Sequence, residues 1–194
     1  MARVSAFVSD RPYERFRGEF HYYLIYGILL AVSAFSLLSM PIFRAGAVLA
    51  FIASWLLFIV SILALIRPVL YRRGLPDAVS GLISTFFYGF VGYISGGTNL
   101  LNIEGYRLAI CAVLLFMGFA RLLVFSRMVT VAAMPMLLFC FAADVISGIL
   151  LLWGFPSSSA STIYWYAGMV LLIDGIESIL EAVTLNRYIQ RDAG

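Results

Sequence analysis

Residues 45–66, AGAVLAFIASWLLFIVSILALI, run for 22 positions without a charged side chain. A helix needs roughly 20 largely apolar residues to cross a hydrocarbon core about 30 Å thick. Inside a bilayer the backbone polar groups must be satisfied within the segment itself, and a helix does this. The stretch therefore reads as a transmembrane helix and serves as the template for the rest of the chain. Five more segments fit it, approximately 22–41, 78–95, 108–126, 132–154 and 162–185. The fold class expected is all-α integral membrane, with six transmembrane helices. Breaks are predicted where backbone chemistry favours them: at Pro41, across Arg67 to Asp77 with Pro68, Gly74 and Pro76, at Gly96-Gly97, and at Pro156 before the serine run 157–159.

Composition agrees with this pattern. The chain is 63% hydrophobic and 12% charged, with a mean hydropathy of +1.00. A soluble domain is about half apolar and about a quarter charged. No stretch between the apolar blocks is long enough to form a separate domain. Lipid is thus the first expected partner. All 13 basic residues are arginine, and no basic patch interleaved with aromatics marks a nucleic-acid surface. The two cysteines, Cys111 and Cys140, lie inside apolar blocks without metal-ligand spacing, where a thiol packs as a small hydrophobe.

Arginines set the direction of insertion, because short loops kept in the cytoplasm carry the excess of positive charge. Arg3, Arg11, Arg15 and Arg17, then Arg67, Arg72 and Arg73, then Arg121 and Arg127, and finally Arg187 and Arg191 fall on one side, leaving Arg44 and Arg107 on the other. Eleven against two predicts that both termini are cytoplasmic. Trp153, Tyr164, Trp165 and Tyr166 then gather at the outer interface. The predicted organisation is an arginine-rich cytoplasmic tail at 1–21, a six-helix membrane domain at 22–185 and a second cytoplasmic tail at 186–194. The mixed charges of the first tail are unlike a cleavable signal peptide. Tyr13, Phe16 and Phe20 at helical spacing beside arginines predict a short interfacial helix starting near Pro12, the alternative being a disordered tail that only carries topogenic charge.

The three even-numbered spans superimpose without a gap, with one constant shift between each and the next. Ser61, Gly118 and Gly175 correspond, as do Ser54, Cys111 and Gly168 one heptad earlier. Each even span thus carries two small residues on one face, the pattern that lets membrane helices approach closely. The odd spans match more loosely through Ser33, Gly89 and Gly148. Each unit is a hairpin that begins and ends on the same side, so the three tandem hairpins share one orientation. Repeats of this kind are related by an axis along the membrane normal, which predicts a pseudo-threefold parallel repeat. Gly92 and Gly96 add a further packing motif in span three.

Three short stretches carry a likeness to a known family. Gly118-Phe119-Ala120-Arg121-Leu122 at the end of span four, Ala143-Asp144-Val145-Ile146 in span five and Gly175-Ile176-Glu177 in span six, with Pro156 between the last two, resemble the HdeD-like acid-resistance membrane proteins of bacteria. The likeness covers about residues 22–185. It implies six spans in three hairpins, a bacterial inner membrane and a role in acid or envelope stress. The second unit departs from the pattern, since residues 96–107 form a longer connection without proline. The arginine-rich tail at 1–21 is not carried over.

Ionisable side chains at helix centres are costly, about 2.5–3.5 kcal/mol each on insertion scales, so they face the bundle interior and find partners. Here these are Asp144, Asp174 and Glu177, with Glu181 and Arg121 nearer the cytoplasmic end. Asp174, Glu177 and Glu181 share one helix face at i, i+3 and i+7. Arg121 is expected to pair with Glu177 or Glu181, which lie at similar depth. Two roles are open to the acids. Asp144 and Asp174 could share a proton, as intramembrane acids do in pumps; or the acids could be polar fasteners between hairpins, the reading preferred because nothing else in the sequence looks like a transport pathway.

Catalytic constellations are lacking. His21 is the only histidine and stands at the start of span one, so no histidine-based metal cluster or catalytic dyad is expected. The serine run has no nucleophile elbow around it and reads as loop. The expectation is a non-enzymatic inner-membrane protein without cofactor, acting as a membrane stress or scaffold protein. It would form a homo-oligomer or associate with other membrane proteins. The alternatives are an accessory subunit packed on a larger membrane complex, and a proton or small-solute channel or transporter.

Overall fold

The computed structural model describes residues 12–40, 46–71, 75–96, 103–125, 134–155 and 159–192. These form six α-helices: α1 Pro12–Ser39, α2 Gly46–Tyr71, α3 Leu75–Gly96, α4 Ile103–Phe125, α5 Met134–Leu152 and α6 Ala160–Asp192. The protein is all-helical. Five stretches are long and apolar enough to cross a membrane: Gly18–Ser39, Ala47–Pro68, Ala78–Gly96, Glu104–Leu122 and Pro135–Leu152. The 33-residue α6 falls outside that set, because Asp174, Glu177 and Glu181 and an aromatic start lower its hydropathy.

The burial pattern suits lipid rather than water. Phe35, Phe51, Phe86 and Phe116, on four different helices, are each more than 60% exposed, while Ser33, Asp144 and Asp174 are buried. Apolar faces this extensive mark contact with a membrane or a partner in preference to water.

Neighbouring helices pack in chain order, and α6 returns to α1 to close a ring. The closest interfaces are α1 with α6, α2 with α3, and α4 with α5; the contacts within the sequence hairpins, α1 with α2, α3 with α4 and α5 with α6, are looser. Small residues explain the difference. A Cβ on Gly27 would lie 2.8 Å from the Gly175 carbonyl oxygen, and one on Gly92 would lie 3.2 Å from that of Ser54. A Cβ on Gly148 would meet Leu115 at 3.1 Å and the Cys111 carbonyl oxygen at 3.4 Å. In each case backbone approaches backbone between one hairpin and the next, running antiparallel.

Several element boundaries differ from the sequence expectation. The helix that starts at Pro12 runs unbroken to Ser39, so residues 12–21 extend span one instead of forming a separate interfacial helix. Proline suits the first turn of a helix, where its missing N–H is not needed, and no breaker stands between it and the span. A break was expected from Arg67 onwards, yet α2 continues through Pro68 to Tyr71. Pro68 deprives the Ala64 carbonyl of its usual donor. Gly81 of α3 accommodates the site: a Cβ there would lie 2.8 Å from the Pro68 Cγ and 3.1 Å from the Ala64 oxygen. Residues 103–107 of the expected 96–107 connection form the first turn of α4, and residues 186–192 of the expected C-terminal tail continue α6. The predicted breaks at Pro41, Gly97 and Pro156 lie outside the described residues.

The end of α5 is closed by chemistry that the sequence reading did not single out. Gly154 adopts a φ of 70°, a conformation that costs other residues a Cβ clash. The Phe155 N–H donates to the Leu150 carbonyl at 3.0 Å and the Gly154 N–H to that of Leu151 at 3.0 Å, the paired bonds of a Schellman C-cap. Ser159 opens α6, its carbonyl accepting from the Thr162 N–H at 3.1 Å.

Candidate functional site: a buried charge cluster

Arg121 is the centre of the most polar region inside the bundle. It sits one turn before the end of α4, only 9% exposed, and its guanidinium meets carboxylates from two other helices. Nη1 donates to Glu177 Oε2 at 2.7 Å. Nη2 donates to Asp174 Oδ1, and Nε lies 2.9 Å from Asp144 Oδ2. That last contact is an ion pair off the line of a hydrogen bond, because Asp144 Oδ2 accepts none among the described residues.

Local structure explains why these side chains meet. Asp174 and Glu177 are three apart on α6 and therefore lie on one face. Asp144 is short and can reach Arg121 only where α5 and α4 approach closely. Gly118 provides that approach: a Cβ there would lie 2.8 Å from Val145 Cγ2 and 3.5 Å from Asp144 Cβ. From α3, the Tyr88 hydroxyl donates to Asp174 Oδ2 at 2.9 Å, and Tyr26 of α1 stands edge-on to the Tyr88 ring at 6.2 Å. Side chains from four helices thus contact one another directly, and a fifth helix backs them.

The site differs in two ways from the sequence expectation. The arginine meets Glu177, as one of the two expected pairings has it, and in addition both Asp144 and Asp174; Glu181 stands one turn further along α6. Tyr88 was not anticipated. A signal for it exists, since membrane tyrosines favour the interfaces, whereas Tyr88 falls in the middle of its span and so calls for a buried polar partner.

No family model matches the chain, and neither does a curated protein or a solved structure.

The six small residues of the repeat lie at the close interfaces. Ser54 Oγ would lie 2.7 Å from a Cβ on Gly96, and the Ser61 hydroxyl donates to the Thr85 carbonyl at 2.8 Å. Cys111 Sγ donates to the Gly148 carbonyl at 3.1 Å. Gly118 faces Val145; a Cβ on Gly168 would meet Leu38 Cγ at 2.9 Å, and one on Gly175 would meet the Ala31 nitrogen and the Gly27 oxygen, both at 3.0 Å. His21 packs edge-on against Phe20 at 5.1 Å. Among the described residues no set of three or more His, Cys, Asp or Glu side chains is placed to hold a metal ion.

Chemically, the cluster combines one guanidinium with three carboxyl groups. A guanidinium fork of this kind binds carboxylates with geometric definition. One guanidinium can neutralise one ionised carboxylate, and three carboxyl groups surround this one.

Proposed function

We propose that this chain is a bacterial inner-membrane protein with six crossings and both termini cytoplasmic, its three hairpins set about a pseudo-threefold axis. In this reading it is a non-enzymatic protein of the HdeD-like kind, acting in acid or envelope stress as a membrane stress or scaffold protein. One observation carries the reading. The three separate stretches on which the family likeness rests supply Arg121, Asp144 and Glu177, and these meet in a single buried cluster.

The repeat has support in the register of the close interfaces. Under the shift that carries Ser61 onto Gly118 and Gly118 onto Gly175, the contacts of Ser54 with Gly92, Cys111 with Gly148 and Gly168 with Ala34 fall on equivalent levels, give or take a single position. The sixth crossing has support in α6 itself. Its 33 residues span about 50 Å at 1.5 Å per residue, and its buried Asp174 is set against the outward Ile176, Leu180 and Val183.

Topology is checked with reporter fusions, one at Gly194 and one in the connection near Thr98, which are expected on opposite sides of the membrane; the same side for both would sink the six-crossing arrangement. The stress role is checked by deleting the gene in its native bacterium. Survival of acid or envelope challenge is expected to fall and to return with the wild-type copy, and equal survival of deletion and parent discards the role.

Two other readings each have an observation in their favour. The inward-facing charges suit a channel or transporter for protons or small solutes, tested by flux into liposomes. The outward Phe51, Trp55 and Ile62 of α2, all more than half exposed, suit an accessory subunit or homo-oligomer, tested by what co-purifies after gentle extraction.

A further inference from the structure

The charged cluster occupies levels that the repeat elsewhere fills with uncharged, mainly apolar side chains. Carried over the whole chain, the constant shift of the even spans matches Arg121 with Ala64 and Ser178, Asp174 with Met117 and Val60, and Asp144 with Phe87 and Leu30, one or two positions from the looser odd-span match. Glu177 corresponds to Ala120 and Leu63. Leu30, Val60 and Phe87 are fully buried, and Ala64, Met117 and Ala120 are at most 3% exposed. Apart from the hydroxyl of Ser178, the same architecture thus closes equivalent core levels with apolar side chains. Replacing a buried ion network by well-packed apolar residues is often neutral or stabilising, so holding the hairpins together does not account for the charges.

Charge balance points to what does. Three ionised carboxylates around one guanidinium leave two negative charges inside the bundle. Among the described residues the neighbouring titratable groups are the Tyr88 hydroxyl of α3, Tyr26 of α1 and Cys140 of α5, none of them cationic. Arg67 of α2 lies over the Tyr23 ring at 5.0 Å. Bare anions at this depth are costly, and one of the two missing positive charges has a place to sit. Asp174 uses one oxygen toward Arg121 and the other toward Tyr88. Asp144, 1% exposed, has an oxygen in contact with Arg121 that accepts no hydrogen bond.

We propose that the cluster is a membrane-embedded proton-binding site in which Asp144 receives the proton, while Arg121, Asp174 and Tyr88 fix the field around it. The proposal rests in part on the repeat. Uptake turns one carboxylate into a carboxylic acid and removes one negative charge; no other bond is made or broken. Glu177, with 19% of its side chain exposed against 1% for Asp144 and 4% for Asp174, is the least enclosed member. With Glu181 a turn further along α6 it provides the path by which the proton enters and leaves.

The test is infrared spectroscopy of the full chain in lipid nanodiscs. A protonated-carboxyl carbonyl band is expected at neutral pH, moving to lower frequency when the aspartate carboxyls carry carbon-13 and disappearing in Asp144→Asn. Absence of the band, or a band indifferent to the aspartate label, overturns the proposal, and the label test depends on no variant folding. A second arm writes the equivalent residues into the cluster as Arg121→Ala, Asp144→Phe, Asp174→Met and Glu177→Ala. This variant is expected to fold with an undiminished melting temperature and to lack the band. If it fails to fold while the labelled band is present in the native protein, the repeat argument falls and the proton site stands. Absence of the band from a native protein whose graft folds well has the opposite meaning.

Discussion

Arg121→Leu is expected to be the most damaging single substitution in the membrane domain, reducing folded, monodisperse protein after mild extraction to a small fraction of the wild-type yield. The change leaves Asp144, Asp174 and Glu177 facing one another without a cation. Breaking a buried pair by removing one partner costs roughly 3 to 5 kcal/mol, a large share of the roughly 5 to 15 kcal/mol that holds a typical fold. Glu177→Leu is milder, because Arg121 keeps Asp144 and Asp174. For the same reason the Arg121→Leu, Glu177→Leu double variant recovers only part of the loss, although a simple pair would recover most of it. Fluorescence-detected gel filtration of the three variants checks the order. Wild-type yield from Arg121→Leu would mean that the ionic contacts do not hold the bundle.

Gly175→Leu is expected to produce the next largest loss. Overpacking in a filled core typically costs about 1 to 3 kcal/mol, and here the obstruction is backbone: the Ala31 nitrogen and the Gly27 oxygen lie 3.0 Å from the position of a first side-chain carbon. Neither can rotate away, so α1 and α6 must separate along the ring's closest seam. Melting in detergent should drop well below wild type for Gly175→Leu and by a smaller amount for Gly175→Ala. Gly18→Ala serves as the control, since nothing lies within 4 Å of its Cβ position. Equal melting of all three would place the Gly175 face against lipid.

Much of the fold was legible because the bilayer imposes a simple rule on length and polarity. The apolar blocks delimit five stretches long enough to cross, and the small residues singled out on the even-numbered helices lie where helices come closest. The partner of each small face was not legible. A period records which residues stand on one face of Gly168 and Gly175, but only the assembled ring sets that face against α1 instead of α5. Pro68 misled because a proline breaks a helix only when nothing accommodates the orphaned carbonyl, and Gly81, distant in sequence, does so. In the charge cluster, depth alone matched Arg121 with Glu177 or Glu181 without choosing between them, and it did not bring in Asp144 and Asp174. Tyr88 could not be placed by depth, since a hydroxyl's partner depends on how α3 is rotated against α6.

The closure of the ring by α1 and α6 also bears on how the molecule is made. Helices enter the bilayer in chain order during synthesis, so α1 waits for α6 before its closest partner exists. Until then the groove around Gly27 is filled by acyl chains, and the nascent protein is an open arc of five helices. Contacts so distant in sequence form late. The step that closes the ring is therefore an exchange of lipid for protein along one seam.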